Sequence, residues 1–581
     1  MRGYSALSEN VEPEALFPLL APVFKAFHEE LEQAGGLILE FIGDAILVVF
    51  NAFPGPRSDP AEVLAQTGRA LDRVLARARL AAAQGRPAVR VGVGVARGPA
   101  AAGLLGSLRR CHLSTLGHTV NTAARVEGLS KDLPAIAAVD ASLFGAEPPA
   151  PWTAPERVTY TIRDCGRHRM KNISVPAHLY GLAPLVRHAV DFVPPGFVAT
   201  PEAGVVHLDV GGRKGAGVFD NHVPGAGAPS SIELVLSGAR ALLRHLRGVD
   251  AQTILFRMHE EPDLDCAASY VAAAELLEEA RLGPGAHPEV RRAFATRRRS
   301  LAALARYVGI VDQGAVPRPE RLGDSLQGIF AAHLQRLETA ARDEGRVLSQ
   351  RDRLAAGVRV VDAALFVADR RRGRAEFATI FESEPSWFTA ERRLLAEDRA
   401  RYLRDRGRGE RFDACVAGAA ERVPALWLDH PGSVLFKVWA RTDPEAAGGR
   451  GFGLMVVDWS TDHGRRFVIS VAPESGTHLD GLGRTLEAAE SARRRELGCP
   501  RPVEPRRWPA DNANPWYFGQ GHEYTIVDAP AIQRGAPFTG TVLTREEVRA
   551  IVGAWRPEVP EPGPARRARS VRRPRRRRVR R

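Results

Sequence analysis

Apolar residues recur at helical spacing over residues 11–34, with Leu16, Leu19, Leu20, Val23, Phe24, Phe27 and Leu31 on one face and Glu29, Glu30 and Glu32 opposite. Gly35-Gly36 predicts the end of that helix. Residues 37–50, LILEFIGDAILVVF, place two apolar runs around Gly43-Asp44 and predict a hairpin. A second amphipathic helix is expected over 61–84 and a small-residue strand over 89–95. This order predicts a ferredoxin-like α+β sandwich with its helices on one sheet face. Further on, Pro194-Pro195-Gly196 marks a linker, set at 184–200, and a new strand begins at Val205. An α/β region with a helical layer rich in Arg, Leu, Ala and Glu is expected over 201–410. From Ala425, the runs SVLFKVWA, GFGLMVVDWS and RFVISVAP predict strands of an antiparallel α+β region over 411–556.

Composition narrows the class. A chain of 581 residues exceeds what one core supports, and 44% apolar with 26% charged residues is ordinary for globular domains. The net charge of +13 suggests nucleic acid until it is located, because eleven of the excess positive charges are arginines within residues 566–581. The basic balance therefore belongs to a tail, 557–581, too polar to fold on its own and suited to polyanion or acidic-lipid contact. Five cysteines, Cys111, Cys165, Cys266, Cys415 and Cys499, lie singly without metal-ligand spacing, which predicts reduced thiols and a cytoplasmic protein. The first residues lack a signal-peptide pattern, and no apolar run of membrane-spanning length occurs.

Candidate chemistry concentrates in two stretches of the first third. Residues 98–127, GPAAAGLLGSLRRCHLSTLGHTVNTAARVE, run through Gly106 to the basic pair Arg109-Arg110 and then through a polar turn at Gly117. Asn121 and Arg125 follow, four apart and so on one face of a starting helix. An amide and a guanidinium there, with Arg109 nearby, suit a ribose and a polyphosphate. In the earlier stretch, Asp44 sits in a tight turn between apolar runs, a position fit for a divalent metal.

Taken in order, FIGDAILVVF, VGVGVARG, LGSLRR and LGHTVNTAARVE resemble the catalytic domain of class III adenylate and guanylate cyclases, over residues 1–183. The resemblance implies that Asp44 helps to hold two Mg2+ or Mn2+ ions. It implies that Asn121 orients the ribose and that Arg125 stabilises charge as the 3′ oxygen attacks the α-phosphate of ATP or GTP. Arg109 and Lys171, the latter in HRMKNISVPAHLYGL, match positions that grip the distal phosphates. In the family the metal side and the Asn/Arg side come from different subunits, so a homodimer with two interfacial sites is implied. Family members also carry a strand ending in a second metal-binding Asp before the residues that match Met1-Arg2-Gly3-Tyr4-Ser5. That strand is not in this sequence; a start codon further upstream is the expected reason, and the chain as written is expected to turn over triphosphate poorly. At the base-reading positions stand Glu40, where guanylate cyclases carry Glu and adenylate cyclases Lys, and Ser114, whose hydroxyl serves either purine. ATP and GTP both remain open. His118 also replaces the usual Asp after Gly117.

A second constellation follows the linker. VVHLDVGG and VFDNHVPG offer His207, Asp209, Asp220 and His222, and ILFRMHEEPDLDCAAS brings His259, Asp263 and Asp265 to a loop before a helix. Carboxylates and imidazoles at strand ends gather divalent metals for phosphate-ester hydrolysis. These runs resemble the DHH phosphoesterases, with two departures: the triplet is Asp220-Asn221-His222, and the DxD loop follows it instead of preceding it. Asp312, in the string Val311-Asp312-Gln313-Gly314, could supply another acid. The alternative to a cyclase is thus a metal-dependent phosphoesterase whose first domain serves dimerisation or nucleotide sensing.

Overall fold

The computed structural model describes residues 4, 8–9, 11–33, 35–51, 59–84, 91–107, 110–131, 133, 135, 137–144, 160–194, 197–223, 230–282, 286–313, 315–446, 451–472, 476–499, 516–518, 525–530, 532 and 539–557. The described residues form two compact units, one within Met1–Leu403 with Gly432–Trp439, the other within Arg404–Pro431, Ala440–Glu504 and Ala513–Arg581. No helix among them is long and apolar enough to cross a membrane. Arg109 and the Arg-rich tail lie outside the described residues.

In the first unit, helix α1 (Pro13–Gln33) leads to the hairpin β1 (Gly36–Ile42) and β2 (Ala45–Phe50), then to helix α2 (Pro60–Ala83). Strand β3 (Val93–Val95) and the hairpin β4 (Ala101–Ser107) and β5 (Arg110–Leu116) precede helix α3 (His118–Leu129). Strands β6 (Ala137–Asp140), β7 (Tyr160–His168) and β8 (Ala177–Pro184) complete a four-stranded sheet in the order β3-β6-β8-β7. The two hairpins form separate two-stranded sheets, so the expected sandwich is divided among three sheets.

The four-stranded sheet carries helices on both faces, where the sequence pattern led us to expect one. The cause lies in the strands, which bury side chains of both parities. Ala137, Val139, Tyr160, Ile162 and Leu182 pack with Val23, Phe27, Leu64 and Leu71 of α1 and α2. Ala138, Cys165 and Leu179 face the other way, onto Val126 of α3 and onto Val290 and Phe294 further along the chain. Glu30, expected on the wet side of α1, is instead buried, with Arg73 and Arg69 of α2 against it.

The stretch expected as a linker contains strand β9 (Ala189–Val193). It joins β10 (Val205–Leu208), β11 (Val218–Phe219) and β12 (Leu255–His259) in a wholly parallel sheet, order β11-β10-β12-β9. Helices α4 (Ser231–Ser237) and α5 (Ala239–His245) connect β11 to β12. Then come α6 (Leu264–Ala280), α7 (Pro288–Asp312), α8 (Leu326–Asp343), α9 (Gln350–Arg370) and α10 (Thr389–Arg408). The first fourteen residues of α6 are all buried, which makes it the axis of this layer.

The second unit holds a six-stranded sheet, order β13-β14-β15-β16-β18-β17, from β13 (Glu410–Ala414), β14 (Val423–Asp429), β15 (Leu454–Asp458), β16 (Phe467–Val471), β17 (Tyr517–Phe518) and β18 (Ile526–Asp528). The sheet is mixed, because β14 and β15 run parallel where an antiparallel arrangement was expected. The run SVLFKVWA, expected as a strand, contributes to helix α11 (Phe436–Arg441), most of which belongs to the first unit, while Val423–Asp429 supplies the strand of the second. Helices α12 (Leu482–Leu497) and α13 (Arg545–Ala554) pack Leu482, Leu486, Val548 and Val552 onto the sheet residues Trp427, Val456 and Ile469.

Candidate functional site

Asp44 follows Gly43 in the two-residue turn between β1 and β2, flanked by the paired Ile42 and Ala45. Gly43 has φ +59, which a side chain would resist there, and the turn holds Asp44 half-exposed at the hairpin tip. Glu40 stands on β1 opposite Leu47, just past an irregularity in the register. Ser114 is on β5, paired with Gly103, and β5 lies beside β1. Glu40 and Ser114 are thus on neighbouring strands. Phe41 and Ile42, Leu104 and Leu105 of β4, and Leu116 of β5 are exposed, so both hairpins present apolar surface.

Helix α3 carries the other half. Its N-terminus is pinned by Thr119, whose hydroxyl donates to the Pro99 carbonyl at 2.7 Å. Val126 points into the core, which turns Asn121 and Arg125 outward, both exposed. Among the described residues neither side chain has a hydrogen-bond or ion-pair partner. The helix lies so close to β3 that a Cβ on Gly94 would stand 2.2 Å from the Glu127 amide nitrogen and 2.3 Å from the Ala123 carbonyl oxygen. Lys171 is exposed in the turn between β7 and β8. Within one chain, then, Asn121 and Arg125 share a helix face and the strands that carry Glu40 and Ser114 touch, while Asp44 belongs to neither group of three or more donors close enough to hold one ion among the described residues.

Both of those groups lie at the ends of the parallel strands, and both include Asp209. Strand β10 ends directly before Asp209, β11 directly before Asp220, and β12 on His259, the edge of a parallel sheet where ligand sites commonly form. Asp209 adopts φ +57, an uncommon conformation for a residue with a side chain, and its carboxylate is 1% exposed. One group is Asp209, His259, Asp263 and Cys266; the other is Asp209, Asp220 and His222. His259 Nε2 lies 3.4 Å from Asp209 Oδ2, and Cys266 Sγ 3.7 Å from the same oxygen. His222 Nδ1 lies 3.4 Å from Asp209 Oδ1 and 3.2 Å from Asp220 Oδ1.

The surroundings orient these groups. Ser231 Oγ is 3.1 Å from Asp209 Oδ1 and 2.8 Å from Asn221 Oδ1, and Asn221 Nδ2 donates to Asp312 at 2.8 Å. Asp312 thus reaches the site through Asn221, the residue that departs from the triplet pattern. Asp265, expected among the ligands, is in neither group: it accepts from the Ser231 and Ile232 amides at 2.6 and 3.0 Å and so caps α4. Burial, reinforced by the charge of Asp209, pushes its carboxyl up to about 8. The hydrogen bond to Asp220, together with the charge of Asp209, pushes His222 up to about 9. Acids outnumber imidazoles here, and the donor set of carboxylates, imidazoles and a thiol is one that suits divalent cations. His207 belongs to neither group; its buried ring stacks on Phe197, and burial and the charge of Arg257 bring it down to about 4. The sequence reading missed Cys266. Its position three residues after Asp263, in the first turn of a helix, was the available signal.

In the second unit, Asp429 and Asp458 pair across the ends of β14 and β15. The His430 amide donates to the Asp458 carbonyl and Asp458 Oδ1 accepts from the Ser460 amide, so these residues shape turns at the strand ends.

Residues 1–137 match the family described as the adenylate and guanylate cyclase catalytic domain. An adenylate cyclase of Anabaena cylindrica is 34% identical over 132 residues, 22% of this chain and 26% of that protein. An uncharacterised protein of Mycobacterium tuberculosis is 32% identical over 178 residues, 30% of this chain and 31% of that protein. Among solved structures, the adenylyl cyclase CyaB from P. aeruginosa aligns with a TM-score of 0.27 at 23% identity, covering 31% of this chain and 89% of that one. The matched part of this chain thus spans about a quarter to a third of these two curated relatives.

Proposed function

Residues 1–137 carry an adenylate and guanylate cyclase catalytic domain, and from that premise we propose that this chain converts ATP or GTP to a 3′,5′-cyclic nucleotide and pyrophosphate. The observation that carries the reading is the pairing of that match with Asn121 and Arg125, one turn apart and turned outward on a helix locked against β3. An outward amide and guanidinium serve a substrate that a second copy presents. The exposed apolar hairpins supply surface for such a copy, consistent with a homodimer.

In this reading the 3′ hydroxyl of the ribose gives up its proton to solvent and its oxygen bonds to the α-phosphorus as the bond to pyrophosphate breaks. Asn121 holds the ribose, and Arg125 balances the charge that builds on the transferring phosphoryl group. Lys171, with Arg109, takes the distal phosphates. Asp44 would hold Mg2+ or Mn2+ with a further carboxylate, and the metal would supply charge neutralisation at the phosphates. Glu40 and Ser114 face the base: Glu40 accepts from guanine N1 and N2 hydrogens, and the hydroxyl accommodates either purine. The test is to incubate the purified chain with Mn2+ and either ATP or GTP and to measure cyclic product. Product lost on Asn121→Ala and on Asp44→Ala supports the reading; product unchanged in both sinks it.

A second reading rests on a separate observation, the sharing of Asp209 by two ligand groups at the edge of a parallel sheet. It makes residues 201–410 a metal-dependent phosphoesterase. Hydrolysis of bis(p-nitrophenyl) phosphate with Mn2+, abolished by Asp209→Asn and by Asp263→Ala but not by Asn121→Ala, would establish it apart from cyclisation.

A further inference from the structure

The two groups that meet at Asp209 differ in number and kind of donor. Asp209, His259, Asp263 and Cys266 offer two carboxylates, an imidazole and a thiol, all within 4.8 Å of one another. Asp209, Asp220 and His222 offer two carboxylates and an imidazole. Four protein donors complete a tetrahedral shell, whereas three leave a position for water or substrate. The His222 side chain is 65% exposed, so the group with fewer donors is open to solvent, as the four-donor group is at Asp263.

The four-donor group is anchored by regular elements. Asp209 and His259 sit at the ends of adjacent parallel strands. Asp263 is the cap of α6, its Oδ1 accepting from the Cys266 amide at 3.0 Å, which fixes carboxylate and thiol to the same helical turn. Asp209 and Cys266 are buried, while Asp263 reaches the surface. A thiol carbon chain alone would be a small apolar filler on α6, but its sulfur points at a carboxylate oxygen 3.7 Å away. Charge fits as well: Asp209, Asp220, Asp263 and a Cys266 thiolate bring four negative charges, which two divalent cations balance with both imidazoles neutral.

We propose that Asp209 bridges two unlike cation positions: a coordinatively complete one, made selective for a borderline-soft ion such as Zn2+ or Co2+ by Cys266, and an incomplete one at Asp220 and His222 that takes a harder ion and presents it to a phosphate ester. The proposal rests on the second reading above and adds the identity and division of labour of its ions. Thiolate ligands select such ions over Mg2+ or Mn2+, and the Sγ proton passes to solvent as the metal–sulfur bond forms.

The test uses the full chain, freed of metal and titrated with Co2+. A thiolate-to-cobalt charge-transfer band in the near ultraviolet is expected, together with the strong visible absorption of four-coordinate Co2+. Cys266→Ser should remove the ultraviolet band and weaken Zn2+ binding at least tenfold, while Mn2+ binding persists. His222→Ala, at an exposed side chain, should remove Mn2+ binding and leave the band. Because the cysteine lies in a packed helix, X-ray absorption at the zinc edge of the unaltered chain serves as the second measurement, with one sulfur neighbour at about 2.3 Å expected. Co2+ bound without a thiolate band, a band unchanged by Cys266→Ser, or zinc with only nitrogen and oxygen neighbours overturns the proposal but leaves the phosphoesterase reading standing. Failure of the chain to bind Co2+, Zn2+ or Mn2+ removes both.

Discussion

Arg163 of β7 and Glu275 of α6 form an ion pair from which solvent is excluded, joining the sheet of the cyclase-type region to the central helix of the region that follows. Arg187 reaches the same carboxylate at 3.4 Å, and the Arg163 guanidinium lies 4.5 Å over the Phe294 ring. Removing one member leaves charge buried without a partner, a loss of about 3–5 kcal/mol. We therefore expect Glu275→Ala to lower the urea midpoint of the chain sharply. The change should be far larger than for Glu344→Ala, whose ion pair with Arg346 is exposed.

Acid should act through the same carboxylate. Burial alone would raise Glu275, but Arg163, Arg297 and Arg187 outweigh it and hold the group down at about 2. A carboxyl lowered on folding stabilises the protein fully above its ordinary value near 4.5 and loses that contribution as pH falls towards 2. The contribution is on the order of 3 kcal/mol. Urea melts at stepped pH should show stability falling across that window, and Glu275→Gln should flatten the fall. An equal pH slope in variant and parent would contradict the assignment.

Gly94 is the second point of leverage. Its missing side chain admits the backbone of α3, so Gly94→Ala must push that helix away from β3. The expected cost is about 1–3 kcal/mol, as for overpacked cores. Because α3 carries Asn121 and Arg125, cyclic product should fall even where the variant is still folded by circular dichroism. Normal turnover would mean that α3 can move without disturbing the site.

The proposal that two copies share the cyclase site can be tested by mixing. Asp44→Ala and Asn121→Ala chains should each be inactive as homodimers, whereas a mixed dimer rebuilds one intact site of two. With random pairing, activity should return to about a quarter of the parent value. No recovery on co-expression would place the whole site within one chain.

Much of the first region was legible from pattern alone. Residues 13–33 form the expected helix, and residues 36–50 the expected hairpin around Gly43-Asp44, since period and turn chemistry are local signals. Which faces of the later sheet would be covered was not legible, because Ala137, Ala138 and Val139 are all apolar and a run without alternation does not reveal its neighbours. The run SVLFKVWA misled for the same reason: its β-branched and aromatic residues fit a strand, yet residues 436–441 are helical. The second site was readable as residues but not as an arrangement. Asp263 and Asp265 look equivalent in sequence, yet one belongs to a ligand group and the other caps α4. Cys266 stands only three residues after Asp263, but the acid its sulfur lies against, Asp209, comes from a strand end 57 residues back in the chain, so the arrangement could not be read from local spacing.

Strand β9 begins five residues after β8 ends, and it is hydrogen-bonded along the whole of β12, Val193 opposite His259. A cut made after β8 to separate the cyclase-type region would strip its neighbour of an outer ribbon and loosen the tip that carries an imidazole. The two regions are therefore stitched by a shared seam of backbone, and any attempt to swap one for a homologue should move the crossover point past Val193.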